Sequence, residues 1–143
     1  MEFNTVNAVG IWFYSRSTKR YLYLLRQDLK HPDTWGLPGG KVESNESLLD
    51  AIKRECLEEI GYYPANKKLY PIEKFTNPKN NFGYNTFVCI LDDEFIPILN
   101  QEHKGYAWID QNSWPKPMHP GLWSMVNIDA VKEKLLLVLE TVT

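Results

Sequence analysis

Three glutamates crowd the end of one predicted helix. The segment RECLEEIGY, residues 54–62, holds Glu55, Glu58 and Glu59 at positions i, i+3 and i+4. On an α-helix each residue advances by about 100°, so these three side chains share one arc of the helix surface. The carboxyl end of a helix is the negative end of its dipole, where a cation is preferred. The spacing therefore predicts a patch of carboxylates that repel one another.

Charge alone leaves two interpretations of this patch open. On a solvated helix, like-charge pairs at these spacings cost only about 0.2–0.5 kcal/mol each, so an ordinary acidic surface is tolerable. If the patch is partly enclosed, at an effective dielectric near 20, two charges about 5.5 Å apart repel by about 3 kcal/mol, and a bound divalent cation is the natural compensation. Hard carboxylate oxygens, with no His or Cys counted among the ligands, favour Mg²⁺ or Mn²⁺ over zinc.

The helix that carries the patch is predicted to run from about residue 47 to residue 60. Ser44 or Asn45 is the expected N-cap, and Gly61 is the expected C-terminal stop. The predicted buried stripe consists of Leu49, Ile52, Cys56 and Ile60. The glutamates lie to one side of that stripe.

Aromatic and β-branched runs predict strands elsewhere in the chain. These runs lie at residues 6–14, 21–26, 69–76, 83–91 and 106–110. Three prolines then break the chain, and a closing helix is predicted over residues 127–140, where apolar residues recur at three and four: Ile128, Val131, Leu135 and Leu139. This order predicts an α/β protein with a mixed central sheet in a three-layer α/β/α sandwich. The pattern does not determine the strand order.

Length and composition limit the classes of protein that fit. The 143 residues suit a single domain, 1–143, and the net charge of −2 argues against binding to duplex nucleic acid. Cys56 and Cys89 are too few for a disulfide framework, so both are expected to be free thiols in a reducing compartment. The start of the chain lacks a signal-peptide pattern, and its longest aliphatic run, LLLVL, is too short to span a bilayer. We therefore expect a cytoplasmic protein.

Residues 40–62, GKVESNESLLDAIKRECLEEIGY, resemble the signature of the Nudix hydrolase family. That signature reads Gly, five residues, Glu, seven residues, Arg-Glu, an apolar residue, any residue, Glu-Glu, any residue, Gly and an apolar residue. Its fixed places are filled by Gly40, Glu46, Arg54, Glu55, Glu58, Glu59 and Gly61. Similar proteins also carry segments like WGLPGG, residues 35–40, and EHKGYAWI, residues 102–109. Cys56 and Tyr62 stand where bulky aliphatic residues are more usual.

The resemblance implies the Nudix sandwich fold and a hydrolase that uses Mg²⁺ or Mn²⁺ and an attacking water. Its implied metal ligands are the carboxylates of Glu55, Glu58, Glu59 and Glu102 and the carbonyl of Gly39. Glu55 is also the leading candidate for orienting or deprotonating the water. Arg54 and Glu46 are expected to form an ion pair that fixes the preceding loop against the helix and orients the ligands.

Contacts with the substrate are less clearly marked in the sequence. Gly40, with its neighbour Gly39, is expected to allow a close backbone approach to metal or phosphate. Arg26 and Lys41 are candidate phosphate contacts, although a solvated surface role fits Arg26 as well. Of the three histidines, only His103, next to Glu102, could face the site. Phe82 and Tyr84, beside a polar tip, could reach a substrate.

The expected substrate is a nucleoside diphosphate linked to another group, and several members of that class remain open. They include a nucleoside triphosphate, an oxidised dNTP, and a nucleotide sugar such as ADP-ribose, the last indicated only by the position of Pro78. A dinucleoside polyphosphate or an RNA 5′ end is an alternative, as is a catalytically silent nucleotide sensor. No membrane partner is expected, and a homodimer is possible.

Overall fold

The computed structural model describes residues 6–77, 79 and 81–142, which form seven strands and three helices. The strands are β1 (Val6–Ser15), β2 (Arg20–Arg26), β3 (Trp35–Gly36), β4 (Gly39–Lys41), β5 (Leu69–Asn77), β6 (Phe82–Leu91) and β7 (His103–Asp110). The helices are α1 (Leu48–Glu59), α2 (Pro120–Val126) and α3 (Asp129–Val142). All five predicted strands and both predicted helices are present, while β3, β4 and α2 were not predicted.

One edge of β1 pairs with two different strands, β2 and β4, so β1 and β2 separate from each other along the sheet. Its other edge pairs in parallel with β6 over its full length. On the shared edge, residues 8–10 pair with β4 and residues 14–15 pair with β2. β7 pairs along the whole of one edge of β2, so β3 lies on the edge that faces β1. Residues 35–41 therefore fill the gap between two diverging strands, and we call them the wedge.

Side chains of β1 alternate between two cores, one on each face of the sheet. Val9, Ile11 and Phe13 pack on one face with α1, whereas Trp12 and Tyr14 pack on the other face with α2 and α3. β5 pairs antiparallel with β6, so parallel and antiparallel pairs occur in one sheet. The predicted mixed sheet and three-layer sandwich are confirmed.

Helix α1 starts slightly later than the sequence predicted, and its predicted buried stripe is confirmed at Ile52, Cys56 and Ile60 but not at Leu49. Its N-cap is Ser47, whose hydroxyl accepts a hydrogen bond from the Asp50 N–H at 3.1 Å. The predicted cap Asn45 instead has a φ of 67° in a tight turn that precedes the helix. Leu49, predicted to be buried, is 52% exposed, and Ala51 takes its place beside Ile52 and Cys56.

The carboxyl-terminal third differs most from its predicted pattern. Pro120 does not break the chain but begins α2, in the first turn where its missing N–H is not needed. Ile128, predicted to be in the buried stripe of the closing helix, is 43% exposed because α3 begins only at the next residue. Val131 and Leu135 are buried as predicted.

Two further expectations concern the thiols and the membrane. Cys56 and Cys89 are both buried free cysteines, as predicted. Among the residues that the structure describes, no helix has the length and apolar character needed to cross a bilayer.

The exposure of two neighbouring residues gives a test of how α1 docks. Ile52 is 1% exposed, so Ile52→Ala should lower the free energy of unfolding by about 2–5 kcal/mol through lost burial and a residual cavity. Leu49→Ala on the same helix should change it by no more than about 1 kcal/mol, because that side chain is half exposed. Urea denaturation measures both, and similar losses for the two variants would contradict this packing.

Candidate active site

The three glutamates of α1 lie at graded depths beside the wedge. The side chain of Glu59 is 3% exposed, that of Glu55 is 12% exposed and that of Glu58 is 56% exposed. The Gly39 N–H donates a 2.7 Å hydrogen bond to Glu59 Oε1, which joins the end of α1 to the start of β4. The patch is therefore neither a solvated surface nor a closed core, but a partly enclosed cleft that opens toward Glu58.

Arg54 connects three elements through one guanidinium. Its Nε and Nη2 donate to the two carboxylate oxygens of Glu46 at 2.8 and 3.0 Å, so the expected ion pair is present. Its Nη1 donates to Glu55 Oε1 at 2.7 Å, and its Nη2 also donates to the Lys41 carbonyl at 2.9 Å. The guanidinium holds the pKa of Glu46 at about 2. Such a planar fork fixes the orientation of Glu55 relative to the loop and to β4.

Burial raises the pKa values of the two inner carboxylates, Glu55 and Glu59. The pKa of Glu59 is raised to about 9, chiefly by burial and also by the nearby Glu102 and Glu55, against the lowering effect of the Gly39 N–H. Burial also raises the pKa of Glu55, although Arg54 opposes that shift. A carboxylate cluster of this kind is stabilised when a divalent cation supplies the missing charge.

The donor atoms around Glu59 fit such a cation. Glu59, Glu102 and His103 each offer one ligand atom, and these atoms lie within 4.8 Å of one another. Glu102 comes directly before β7 and is exposed, whereas His103 is the first residue of β7 and is only 7% exposed. The glutamates therefore have a histidine beside them, and it is His103, the histidine that the sequence analysis left able to face the site. The only sequence signal for His103 was that it follows Glu102.

Two of the three glycines of the wedge, Gly39 and Gly40, stand where a side chain has no room, for different reasons. Gly39 has a φ of 153°, and a Cβ built there would lie 2.0 Å from the Val9 carbonyl oxygen. At Gly40 a Cβ would lie 2.7 Å from the carboxyl carbon of Glu55. The first glycine permits the backbone turn, and the second leaves room for a site carboxylate.

The two candidate phosphate contacts differ in their surroundings. Arg26 makes a two-pronged ion pair with Asp28, at 2.8 and 2.9 Å. Lys41 is exposed on β4, and its carbonyl accepts from Arg54. A phosphate that reached Arg26 would compete with Asp28, whereas the Lys41 side chain is accessible.

Tyr84 reaches the same region from β6. A Cβ built on Gly10 would lie 2.1 Å from the Tyr84 hydroxyl oxygen, so this hydroxyl occupies the space above Gly10. Burial raises the pKa of Tyr84 to about 12, and Glu59 contributes to the shift. Tyr84 therefore lies within electrostatic reach of the carboxylate cluster, while Phe82 is partly buried at the start of β6.

Comparisons with known proteins give relatives of similar architecture. The chain is 28% identical over 125 residues to a dihydroneopterin triphosphate diphosphatase of Haemophilus influenzae, covering 76% of this chain and 77% of the relative. It is 35% identical over 78 residues to an 8-oxo-dGTP diphosphatase of the same organism, covering 53% and 54%. A MutT NUDIX hydrolase from Burkholderia pseudomallei has a similar structure, with a TM-score of 0.67, 21% identity and coverage of 91% and 98%.

The extent of the family match settles the classification. The alignment to a MutT/nudix family protein of Enterococcus faecalis spans only 44% of that chain, so this chain corresponds to part of some relatives. The family model of the NUDIX domain nevertheless matches residues 4–127, which is most of the sequence. The curated relatives described above are named as diphosphatases. The chain belongs to the Nudix hydrolase family.

Proposed function

We propose that this Nudix hydrolase is a metal-dependent pyrophosphohydrolase that cleaves the diphosphate linkage of a small nucleotide by attack of water. One observation carries the proposal: the buried carboxylate of Glu59 lies in a cluster with Glu102 and His103, and burial together with the neighbouring carboxylates raises its pKa to about 9. Glu55 and Glu58 extend that cluster along α1 toward solvent. A silent sensor would not need a complete set of acidic ligands.

In this proposal the cation is Mg²⁺ or Mn²⁺, held by Glu55, Glu58, Glu59, Glu102 and the Gly39 carbonyl. When bound, it would neutralise charge on the phosphate oxygens and make the attacking water more acidic. The donor set consists mainly of the hard oxygen atoms that these ions prefer.

The chain supplies the base and its orientation. Glu55 Oε1 accepts the Arg54 hydrogen bond at 2.7 Å, so Oε2 is the atom we assign to take the proton from water. Glu46 holds Arg54 from the other side and thereby acts as a positioning residue. Lys41 and the backbone at Gly40 would contact the phosphates, and Arg26 would join them if Asp28 released it.

A triphosphate is the substrate class that the relatives favour. Their names specify dihydroneopterin triphosphate, 8-oxo-dGTP and, in a further relative from Escherichia fergusonii, nucleoside triphosphates. We propose a nucleoside triphosphate, oxidised or not, or a related heterocyclic triphosphate. Pro78, which pointed to ADP-ribose, lies outside the described residues.

The same proposal covers the cellular location, the partner and the oligomeric state of the enzyme. We place it in the cytoplasm, where Cys56 and Cys89 would stay reduced. The net charge of −2 is consistent with a small nucleotide as partner and not duplex nucleic acid. A homodimer remains part of the proposal, to be tested by light scattering.

A substrate panel tests the reaction class. The purified protein with Mg²⁺ should convert dGTP, 8-oxo-dGTP or dihydroneopterin triphosphate to the monophosphate and pyrophosphate, with products identified by mass. At least one triphosphate should exceed ADP-ribose and diadenosine tetraphosphate by about tenfold or more in kcat/KM, a difference of about 1.4 kcal/mol in transition-state binding. Faster turnover of ADP-ribose would overturn the substrate class.

Replacing one exposed carboxylate tests the metal-site assignment. Glu58→Gln removes a charge without changing shape, and kcat should fall by at least about 10²-fold, the usual effect of losing one group that stabilises transition-state charge. Glu133→Gln, an exposed glutamate of α3, is the matched control and should retain full activity. A fully active Glu58→Gln enzyme would exclude Glu58 from the site.

The contact between Gly40 and Glu55 gives a second test. In Gly40→Ala the new methyl group should displace the Glu55 carboxylate, and a misplacement of about 1 Å is expected to lower kcat by about 10²-fold. The free energy of unfolding should change by less than about 1 kcal/mol, because only a side-chain end must move. Gly105→Ala on β7, where a Cβ meets Leu25 at an ordinary 3.7 Å, is the control. Wild-type kcat in Gly40→Ala would contradict the assigned role of Glu55.

A further inference from the structure

One ring nitrogen of His103 is buried and makes no hydrogen bond to the described residues. The residue is 7% exposed, and its Nδ1 is buried without a hydrogen-bond partner among the described residues. A buried polar atom without a hydrogen-bond partner destabilises the folded protein unless a ligand or an ion contacts it. The Arg54, Glu46 and Gly39 contacts that organise the rest of the site do not involve it.

The Glu59 carboxylate is too far away to satisfy this nitrogen by a hydrogen bond. His103 Nδ1 lies 3.7 Å from Glu59 Oε2, which is beyond hydrogen-bond distance. Two ligands of one octahedral ion at about 2.1 Å each are roughly 3 Å apart in adjacent positions and roughly 4.2 Å apart in opposite positions. The observed separation falls between those two values, as expected for two atoms that face a common ion.

The backbone holds these donors in place from independent elements. Glu59 ends α1, whereas His103 begins β7 and pairs with Arg26 of β2. The Gln27 N–H donates to the Glu102 carbonyl at 3.0 Å, which fixes the residue before His103. The backbone positions of the three residues are thus set by the end of α1 and by the pairing of β2 with β7.

We propose that His103 Nδ1 is a direct ligand of the metal ion, beside the carboxylates of Glu59 and Glu102. The inference rests on the proposed function, which places a divalent ion among these glutamates. Imidazole nitrogen is a ligand of first-row transition ions, whereas Mg²⁺ prefers oxygen. The site should therefore bind Mn²⁺ more tightly than Mg²⁺.

Electron spin-echo spectroscopy of the protein loaded with Mn²⁺ tests the bond directly, without substrate or turnover. The wild-type protein should show modulation from a coordinated ¹⁴N nucleus. His103→Asn should lose the modulation, because it replaces the ring with an amide whose oxygen can still face the ion. His31→Asn, which changes a histidine whose ring lies 4.5 Å from that of His119, is the matched control and should keep the modulation.

Calorimetry on the same proteins gives a second readout. His103→Asn should weaken Mn²⁺ binding by about tenfold or more, while Mg²⁺ affinity should change by less than about threefold. A wild-type spectrum without nitrogen modulation overturns the proposal even if the variants fail to fold, as does modulation that persists in His103→Asn. Turnover with Mg²⁺ in the absence of nitrogen modulation would leave the proposed function standing and remove only His103 from the ligands.

Discussion

The hydrogen bond from the Gly39 N–H to Glu59 joins the two parts of the molecule on which the site depends. It ties the last turn of α1 to the wedge, and the wedge is present only because β1 and β2 diverge. Without that contact, the buried Glu59 carboxylate would lose the short hydrogen bond that the backbone donates to it. The burial of Glu59 is also the main reason that the pKa of its carboxyl group is raised.

Arg54 performs the complementary task at the outer side of the cleft. Its guanidinium neutralises Glu46 and part of Glu55 while bonding the backbone of β4, so positive charge is supplied where the ligands are oriented. At the inner side, the buried Glu59 carboxylate lies close to Glu102 and His103. One end of the glutamate patch is therefore paired with Arg54, whereas at the other end burial raises the pKa of the Glu59 carboxylate.

Local sequence patterns predicted what depends on neighbours along the chain. The shared arc of Glu55, Glu58 and Glu59 follows from helical spacing, and the stop at Gly61 follows from its φ of 67°. The wedge and the position of His103 depend on pairing between strands that are distant in sequence. The spacing of apolar residues along the chain carries no information on that pairing. Ser47 displaced the predicted N-cap because the preceding turn, with Glu46 N–H bonded to the Glu43 carbonyl, uses the residues before it. The resemblance implied a role for the carboxylates on α1 but none for the imidazole of His103, which lies beside Glu59.

The divided edge of β1 also bears on how the protein acquires its site. β1 comprises residues 6–15, yet it pairs in parallel with β6, at residues 82–91, and also with β4 of the wedge. The glutamates of α1 lie beside the wedge. Pairing between segments so distant requires large loops to close, which is the slow part of folding for such topologies. The signature segment alone would be an acidic helix without its buried environment. The buried environment of the glutamate cluster is thus a property of the completed sheet, and it cannot form much before the native topology is in place.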